Sequence, residues 1–287
     1  MNIILTLVVL ALSCVNLNAE IRDSFEFDGY ERSFLVHVPT SAHAASKLPL
    51  LLVFHGLTRD GQHMMELSGF NALAEANNFI VVYPDGVSGT WDVKLGPVFT
   101  DDVAFVEVLL SYLSARFPVD AQRVYATGFS AGGHLSHRLA CELSSSFAAI
   151  ASVSGTMTDN ALDACAPAQS VPVMQIHGTE DSIVPYEGLW KLNSVDKIMT
   201  HWASKNNCSQ NPRIIAPPDY YLFGQPAVER YLWDSCDNGA ELQLLKINGG
   251  EHEWPGGATH LKNLVGLQSD LNASQEIWNF VSRFSLH

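Results

Sequence analysis

Basic residues are scarce in this 287-residue chain, where 16 Lys and Arg stand against 30 Asp and Glu for a formal net charge of −14. A general nucleic-acid binder needs clustered cations to displace counterions from phosphates, so that class is excluded. Cysteine is sparse as well, five in all, and no two form a C-x-x-C, which argues against a zinc ribbon or a dithiol redox motif. Neither H-E-x-x-H nor a glycine-rich P-loop occurs, so helix-borne zinc chemistry and phosphate cradling lack their usual carriers. His134 and His137 stand three apart, but no third ligand has a suitable spacing, so we expect no metal and no organic cofactor. Repeats, heptads and low-complexity tails are missing. No apolar run is long enough to span a bilayer comfortably, and no stable membrane association is expected.

Apolar residues are plentiful, 47% by number, enough for a sizeable core at this length. The first run, Asn2-Ile3-Ile4-Leu5-Thr6-Leu7-Val8-Val9-Leu10-Ala11-Leu12, suits the h-region of a secretory signal peptide over residues 1–19. Cleavage after Ala19 leaves a mature domain over 20–287. The alternative is an N-terminal core strand, and Cys14 is a poor match to a lipid-attachment site. Export carries Cys141, Cys165, Cys208 and Cys236 into an oxidising compartment, which points to two disulfides. Three pairings are open. We favour the local ones, Cys141–Cys165 and Cys208–Cys236, each closing a loop and contributing about 2–4 kcal/mol. Asn207 and Asn272 begin N-x-S/T sites that matter only in a eukaryotic secretory host.

Along the chain, Phe25 and Phe27, a turn at Asp28-Gly29, and Phe34, Val36 and Val38 read as a hairpin. Leu50-Leu51-Leu52-Val53-Phe54 is apolar at every position, the mark of a strand buried on both faces. A helix is predicted over 62–77, with Met65, Leu67, Phe70, Leu73 and Ala74 at helical spacing. The alternation repeats with a strand over 79–83, then a helix from an N-cap at Thr100-Asp101-Asp102 to about Arg116. Strands follow at 123–127, 148–153 and 171–176, a helix at 194–205, strands at 228–233 and 241–247, and a helix over 272–284. The segment 210–226 reads as an irregular excursion. Strands alternating with helices mean an α/β fold, a mostly parallel sheet covered on both sides within one domain.

The chemistry concentrates at Gly128-Phe129-Ser130-Ala131-Gly132, between the β-branched run ending at Thr127 and a helical pattern from Gly133. Strand, sharp turn and helix around a serine between glycines is the context of a nucleophile elbow. A serine hydroxyl attacks only when a positioned base takes its proton and a carboxylate orients that base. In sheets of this kind the order is Ser, then acid, then His. Asp181, in the loop after the strand ending at Ile176, is the expected acid, with Glu180 the alternative and His177 a loop-stabilising residue. His252 is the expected base, held in a glycine- and proline-rich loop from Asn248 to Gly257; the plain alternative is a solvated loop histidine between Glu251 and Glu253. An oxyanion hole needs two backbone N–H groups. We expect them from Ala131, after the nucleophile, and Leu57, in the His55-Gly56-Leu57-Thr58 loop that His55 buttresses.

With these residues in place, the chain from about Arg32 onward resembles the secreted esterases that include polyhydroxybutyrate depolymerases and feruloyl esterases. The resemblance rests on Leu52-Val53-Phe54-His55-Gly56, Val82-Tyr83-Pro84-Asp85-Gly86 with Trp91 beyond, Asp101-Asp102-Val103 and Val124 to Gly133. Ile176-His177-Gly178-Thr179-Glu180-Asp181 and the loop Gly249 to Gly257 complete it. It implies an α/β-hydrolase fold and a serine-esterase mechanism, and it supports the local disulfide pairing. The chain departs from the family in having Glu251 and Glu253 around the histidine and Leu57-Thr58 where glycines are frequent. Trp254 and Trp91 are candidates for the wall of the acyl or alcohol pocket, the alternative for each being core packing.

The expected activity is a secreted carboxylic-ester hydrolase acting on a small-molecule or polymer ester. Feruloyl esters of plant polysaccharides are slightly favoured over polyhydroxyalkanoate oligomers because no polymer-binding module is evident. A peptidase on the same fold would carry a further large domain, and an inactive binder would have lost one of Ser130, Asp181 or His252; neither is expected.

Overall fold

The computed structural model describes residues 20–42, 46–94, 99–215, 221–222, 225–258 and 271–286. The expected signal peptide and Cys14 lie outside them. The chain opens with a hairpin of β1 (Ile21–Phe27) and β2 (Tyr30–His37). Asp28 and Gly29 form its turn with φ of 51° and 76°, the pair of positive values that lets a two-residue loop match strand twist. Next come β3 (Leu48–Phe54), α1 (Gly61–Ser68), α2 (Phe70–Asn77) and β4 (Ile80–Pro84). The single helix expected over 62–77 is two: Gly69, at φ 66°, ends α1 by donating its N–H to Met65 O. The break turns the chain so that Met64 and Phe70 both reach the same core.

Then follow α3 (Asp102–Arg116), β5 (Val119–Phe129), α4 (Ala131–Glu142), β6 (Ala149–Val153), α5 (Asp159–Ala164), β7 (Val173–Gly178) and α6 (Val195–Lys205). Asp101 caps α3 by accepting the N–H groups of Val103 and Ala104. The expected excursion carries β8 (Arg213–Ile215) and a small ribbon of β9 (Tyr221–Leu222) and β10 (Gln225–Pro226), and β11 (Val228–Trp233), β12 (Leu242–Ile247) and α7 (Ala273–Val281) complete the chain. Asn272 caps α7 through its side chain.

Ten strands form one sheet in the order β1-β2-β4-β3-β5-β6-β7-β12-β11-β8. Its centre, from β4 through β12, is parallel throughout. The β-branched and leucine-rich strands face apolar layers on both sides. Leu50, Leu52 and Phe54 of β3 pack with residues of α3, α4 and α6, while Leu51 and Val53 pack with residues of α1, α2 and α7. This is the α/β-hydrolase architecture. Disulfides join Cys141 to Cys165 and Cys208 to Cys236, fastening the end of α4 to the segment after α5 and the end of α6 to the turn after β11.

From β3 the chain steps to β4 on one side, then crosses to β5 on the other. Ligands of open α/β sheets bind outside the carboxyl ends of strands at such a reversal. Here that point lies between the loops after β3 and β5, which contain Leu57 and Ser130.

Candidate active site

Ser130 sits between the last residue of β5 and the first of α4 with φ 55° and ψ −115°. A non-glycine residue held there stores on the order of 1–3 kcal/mol of strain. The neighbours enforce the bend: Ser130 N–H donates to Val153 O at 2.9 Å and Ser130 O accepts His134 N–H at 3.0 Å. A Cβ at Gly128 would run into the Gly132 backbone, and one at Gly132 into the Phe54 carbonyl. Only glycine on both flanks lets strand, turn and helix close this tightly.

The loop after β3 is braced from below. Gly86 N–H donates to His55 Nε2 at 2.9 Å, which leaves the ring proton on Nδ1, 2.7 Å from Gly56 O. Trp91 Nε1–H donates to His55 O at 2.9 Å. Beyond it, Thr58 stands at φ 61° and its N–H is taken by Gly89 O at 2.7 Å. The loop thus turns tightly at Leu57, whose side chain is 58% exposed, on the edge of the sheet that also bears Ser130. Ala131 begins α4, where backbone N–H groups and the positive end of the helix dipole favour an anion.

The acid and histidine loops are stitched together. Glu180 N–H donates to Gly250 O at 2.8 Å, and Gly249 N–H donates to Thr179 Oγ1 at 2.9 Å. His252 Nδ1 lies 2.8 Å from Asp181 Oδ2, and its ring centroid is 4.8 Å from that of Phe129, the neighbour of Ser130. Asp181 Oδ1 accepts the N–H groups of Ile183 at 2.9 Å and Val184 at 2.8 Å. Burial works to raise the Asp181 carboxyl, but hydrogen bonds from His177, His252 and Val184 N–H outweigh it and hold the group well below the usual carboxylate range. An ionised acid on Nδ1 fixes the His252 proton there and leaves Nε2 as the basic nitrogen. Glu180, the alternative acid, is exposed.

His177 is buried beneath this pair, its Nε2 at 2.8 Å from Val184 O and 3.4 Å from Asp181 Oδ2. It braces the acid loop, the place expected of it. His134 and His137 turn to separate partners: His134 Nδ1 faces the Thr156 backbone, and His137 lies between Trp202 and Gln175. Burial pushes His134 down to about 4 and His137 to about 3. Among the described residues no cluster of three or more His, Cys, Asp or Glu could hold a metal ion.

The two expected pocket tryptophans need correction. Trp254 is 1% exposed, its indole N–H spent on Ser274 Oγ at 3.0 Å and its ring edge-on to Phe70 and Phe129. Trp91 is 3% exposed and packs edge-on to Phe54. Both are core residues that support the site from behind, because each indole N–H finds its acceptor inside. Among the described residues, the exposed apolar groups in the loops after β3, β4 and β7 are instead Leu57, Phe99, Ile183, Leu189 and Trp190. Trp190 is 79% exposed, yet it is held at φ 54° in a turn closed by paired Leu189 and Leu192 backbone bonds. That turn is tied to the loop after β6 through Thr158 and Leu192. The signal in the sequence was two adjacent large apolar residues, Leu189-Trp190, set directly after Gly188 and between the charged Glu187 and Lys191.

Residues 32–186 match the family model described as esterase PHB depolymerase. A bifunctional acetylxylan esterase/xylanase of Neocallimastix patriciarum is 28% identical over 88% of this chain and 33% of its own length. A feruloyl esterase B of Piromyces equi is 27% identical over 89% of this chain and 46% of its own. The chain therefore spans a third to a half of these relatives. Among solved structures, an acetyl xylan esterase from Aspergillus awamori superposes with a TM-score of 0.59 at 18% identity, covering 81% of this chain and 92% of that one; this likeness shows the fold.

Proposed function

The chain belongs to the esterase PHB depolymerase family, and from that premise we propose that it is a secreted serine carboxylic-ester hydrolase. Ser130 Oγ attacks the ester carbonyl while His252 Nε2 takes its proton. The carbonyl oxygen, now an anion, is held by the N–H groups of Leu57 and Ala131. As the tetrahedral intermediate collapses, His252 returns the proton to the departing alcohol, leaving an acyl group on Ser130. Water activated by the same nitrogen then attacks the acyl carbon and releases the acid. Asp181 orients the imidazole and balances its charge while it carries the proton. Positioning and charge balance of this kind need no metal and no organic cofactor.

The observation that carries this reading is the 2.8 Å contact of His252 with a buried, ionised Asp181 beside a serine held at φ 55°. Export through residues 1–19 belongs to the same proposal and is supported by the two disulfides. For substrate we propose feruloyl or related esters of plant polysaccharides, supported by the acetylxylan and feruloyl esterases among the relatives. The exposed Trp190 offers a flat surface to an aromatic acyl group or a sugar ring. The test is hydrolysis of methyl ferulate, p-nitrophenyl acetate and a 3-hydroxybutyrate oligomer by the protein and by Ser130→Ala. Ferulate turnover lost in the variant supports the reading. Oligomer turnover without ferulate turnover moves the substrate to polyesters, and turnover of no ester overturns the activity.

A further inference from the structure

We infer that Trp202, His137, Gln175 and His177 form a buried relay of positioning residues that fixes the tautomer of His177 and, through it, the carboxylate of Asp181. The inference rests on the esterase reading above for its catalytic consequence, but its structural content stands separately.

The relay starts at a group with no choice. An indole N–H can only donate, and that of Trp202 lies 3.1 Å from His137 Nδ1. That nitrogen must accept, so the His137 proton sits on Nε2, 3.0 Å from Gln175 Oε1. The Gln175 amide nitrogen then faces Gly155 O at 2.9 Å and His177 Nδ1 at 3.0 Å, one hydrogen for each. His177 Nδ1 accepts in turn, which puts its proton on Nε2, against Val184 O and Asp181 Oδ2. The carbonyls of Gly155 and Val184 fix the direction independently, since neither could face a lone pair. Reversing any member sets donor against donor or acceptor against acceptor.

The row crosses the layer between β7 and the helices α4 and α6. His137, Gln175, His177 and Trp202 are all fully buried. A polar group left unpaired there is destabilising, and a file of apolar side chains would fill the space without that hazard. What the polar row adds is delivered at its end. Val184 is gripped twice, its C=O by His177 and its N–H by Asp181 Oδ1. Asp181 Oδ2 lies between His177 and His252. The orientation of the His177 ring therefore sets both the turn that carries the acid and the oxygen that meets the base.

Burial keeps His137 neutral, so the relay holds its direction across the pH range in which an esterase works. The titratable groups around the Asp181–His252 pair are His177 on β7, His134 on α4, and Glu180, Glu251 and Glu253 on the two loops; His201 on α6 flanks the far end.

Two-bond nitrogen–proton NMR spectra of the protein labelled with 15N-histidine read the tautomers without any substrate. His137 and His177 are both expected as neutral Nε2–H forms. Gln175→Met, similar in size and apolar, cuts the relay. It is expected to lower kcat about tenfold with KM within about twofold, the pattern of lost positioning rather than lost binding. The acid limb of its kcat/KM profile should move up by about half a pH unit, because His177, left with Val184 O alone to set its ring, aims its Nε2–H less closely at Asp181, which then pairs more strongly with the protonated base. Trp202→Phe should shift both quantities the same way by about a third as much, since the two carbonyls still hold the direction. A wild-type Nδ1–H form at either histidine, or a folded Gln175→Met with wild-type kcat and acid limb, overturns the relay. If Gln175→Met does not fold, the wild-type tautomers and Trp202→Phe decide. Absence of ester turnover in wild type and variants alike would sink the esterase reading while the tautomer spectra still judged the relay.

Discussion

Acidification from pH 7 to pH 5 is expected to destabilise the folded protein through two buried histidines above all. An unfolded imidazole titrates near pH 6.5, whereas burial holds His134 at about 4 and His137 at about 3 in the fold. Between those values and 6.5 the unfolded chain binds protons that the folded chain refuses. The stabilisation is therefore fully present above about pH 6.5 and is lost as the pH falls toward the folded values. At pH 5 each group is protonated in the unfolded chain and neutral in the fold, a difference of about 2 kcal/mol apiece and about 4 kcal/mol together. His55, lowered by burial, adds to the loss, while Asp102, raised by burial, works against it. Carboxylates held low, Asp181 and Asp92 among them, lose their contribution only below about pH 4. Urea unfolding followed by tryptophan fluorescence at pH 7 and pH 5 measures the total. His134→Asn and His137→Asn isolate each ring: either variant is less stable at pH 7, but its loss on acidification should be about 2 kcal/mol smaller. Variants that follow the wild-type pH dependence in parallel would show instead that the rings already carry their protons in the fold.

Trp190→Ala should raise KM for a feruloylated xylan oligosaccharide by about tenfold, the order of one lost stacking contact. Its kcat/KM for p-nitrophenyl acetate should stay within about twofold, and equal effects on both substrates, or none, would remove Trp190 from the binding surface. Asp102→Ala strands the buried Arg32, whose Nη2 lies 2.7 Å from the Asp102 carboxylate. Loss of one partner from a buried pair costs about 3–5 kcal/mol; a urea midpoint unchanged from wild type would show that Arg32 finds water or another acceptor.

The central strands were legible because β3, β4 and β6 are apolar at nearly every position, a pattern that only a doubly covered strand sustains. The proposed triad was legible for a different reason: Ser130, Asp181 and His252 each come shortly after the carboxyl end of a sheet strand, and glycines mark where the chain must turn. Helix continuity was less so. Gly69 sits within an unbroken helical period over 62–77, and periodicity cannot tell a tolerated glycine from one that adopts φ 66°. Short α5 and β8 have too few residues to show a period. Trp91 and Trp254 were misplaced because sequence reveals that a residue is large and apolar, not which way it points. Trp190 was missed for the same reason. The relay was invisible because its members come from three elements and become neighbours only when α4 and α6 pack on β7.

In the proposed mechanism Ser130 is a nucleophile activated by His252. A fluorophosphonate tests it directly, since an activated serine displaces fluoride from phosphorus and keeps the phosphonyl group as a stable adduct. Mass spectrometry of the digested protein should find one adduct per chain on the peptide containing Ser130. The label should vanish in Ser130→Ala and form far more slowly in His252→Ala. Labelling at another residue, or a Ser130 that reacts no faster than an ordinary surface serine, would rule Ser130 out as the nucleophile.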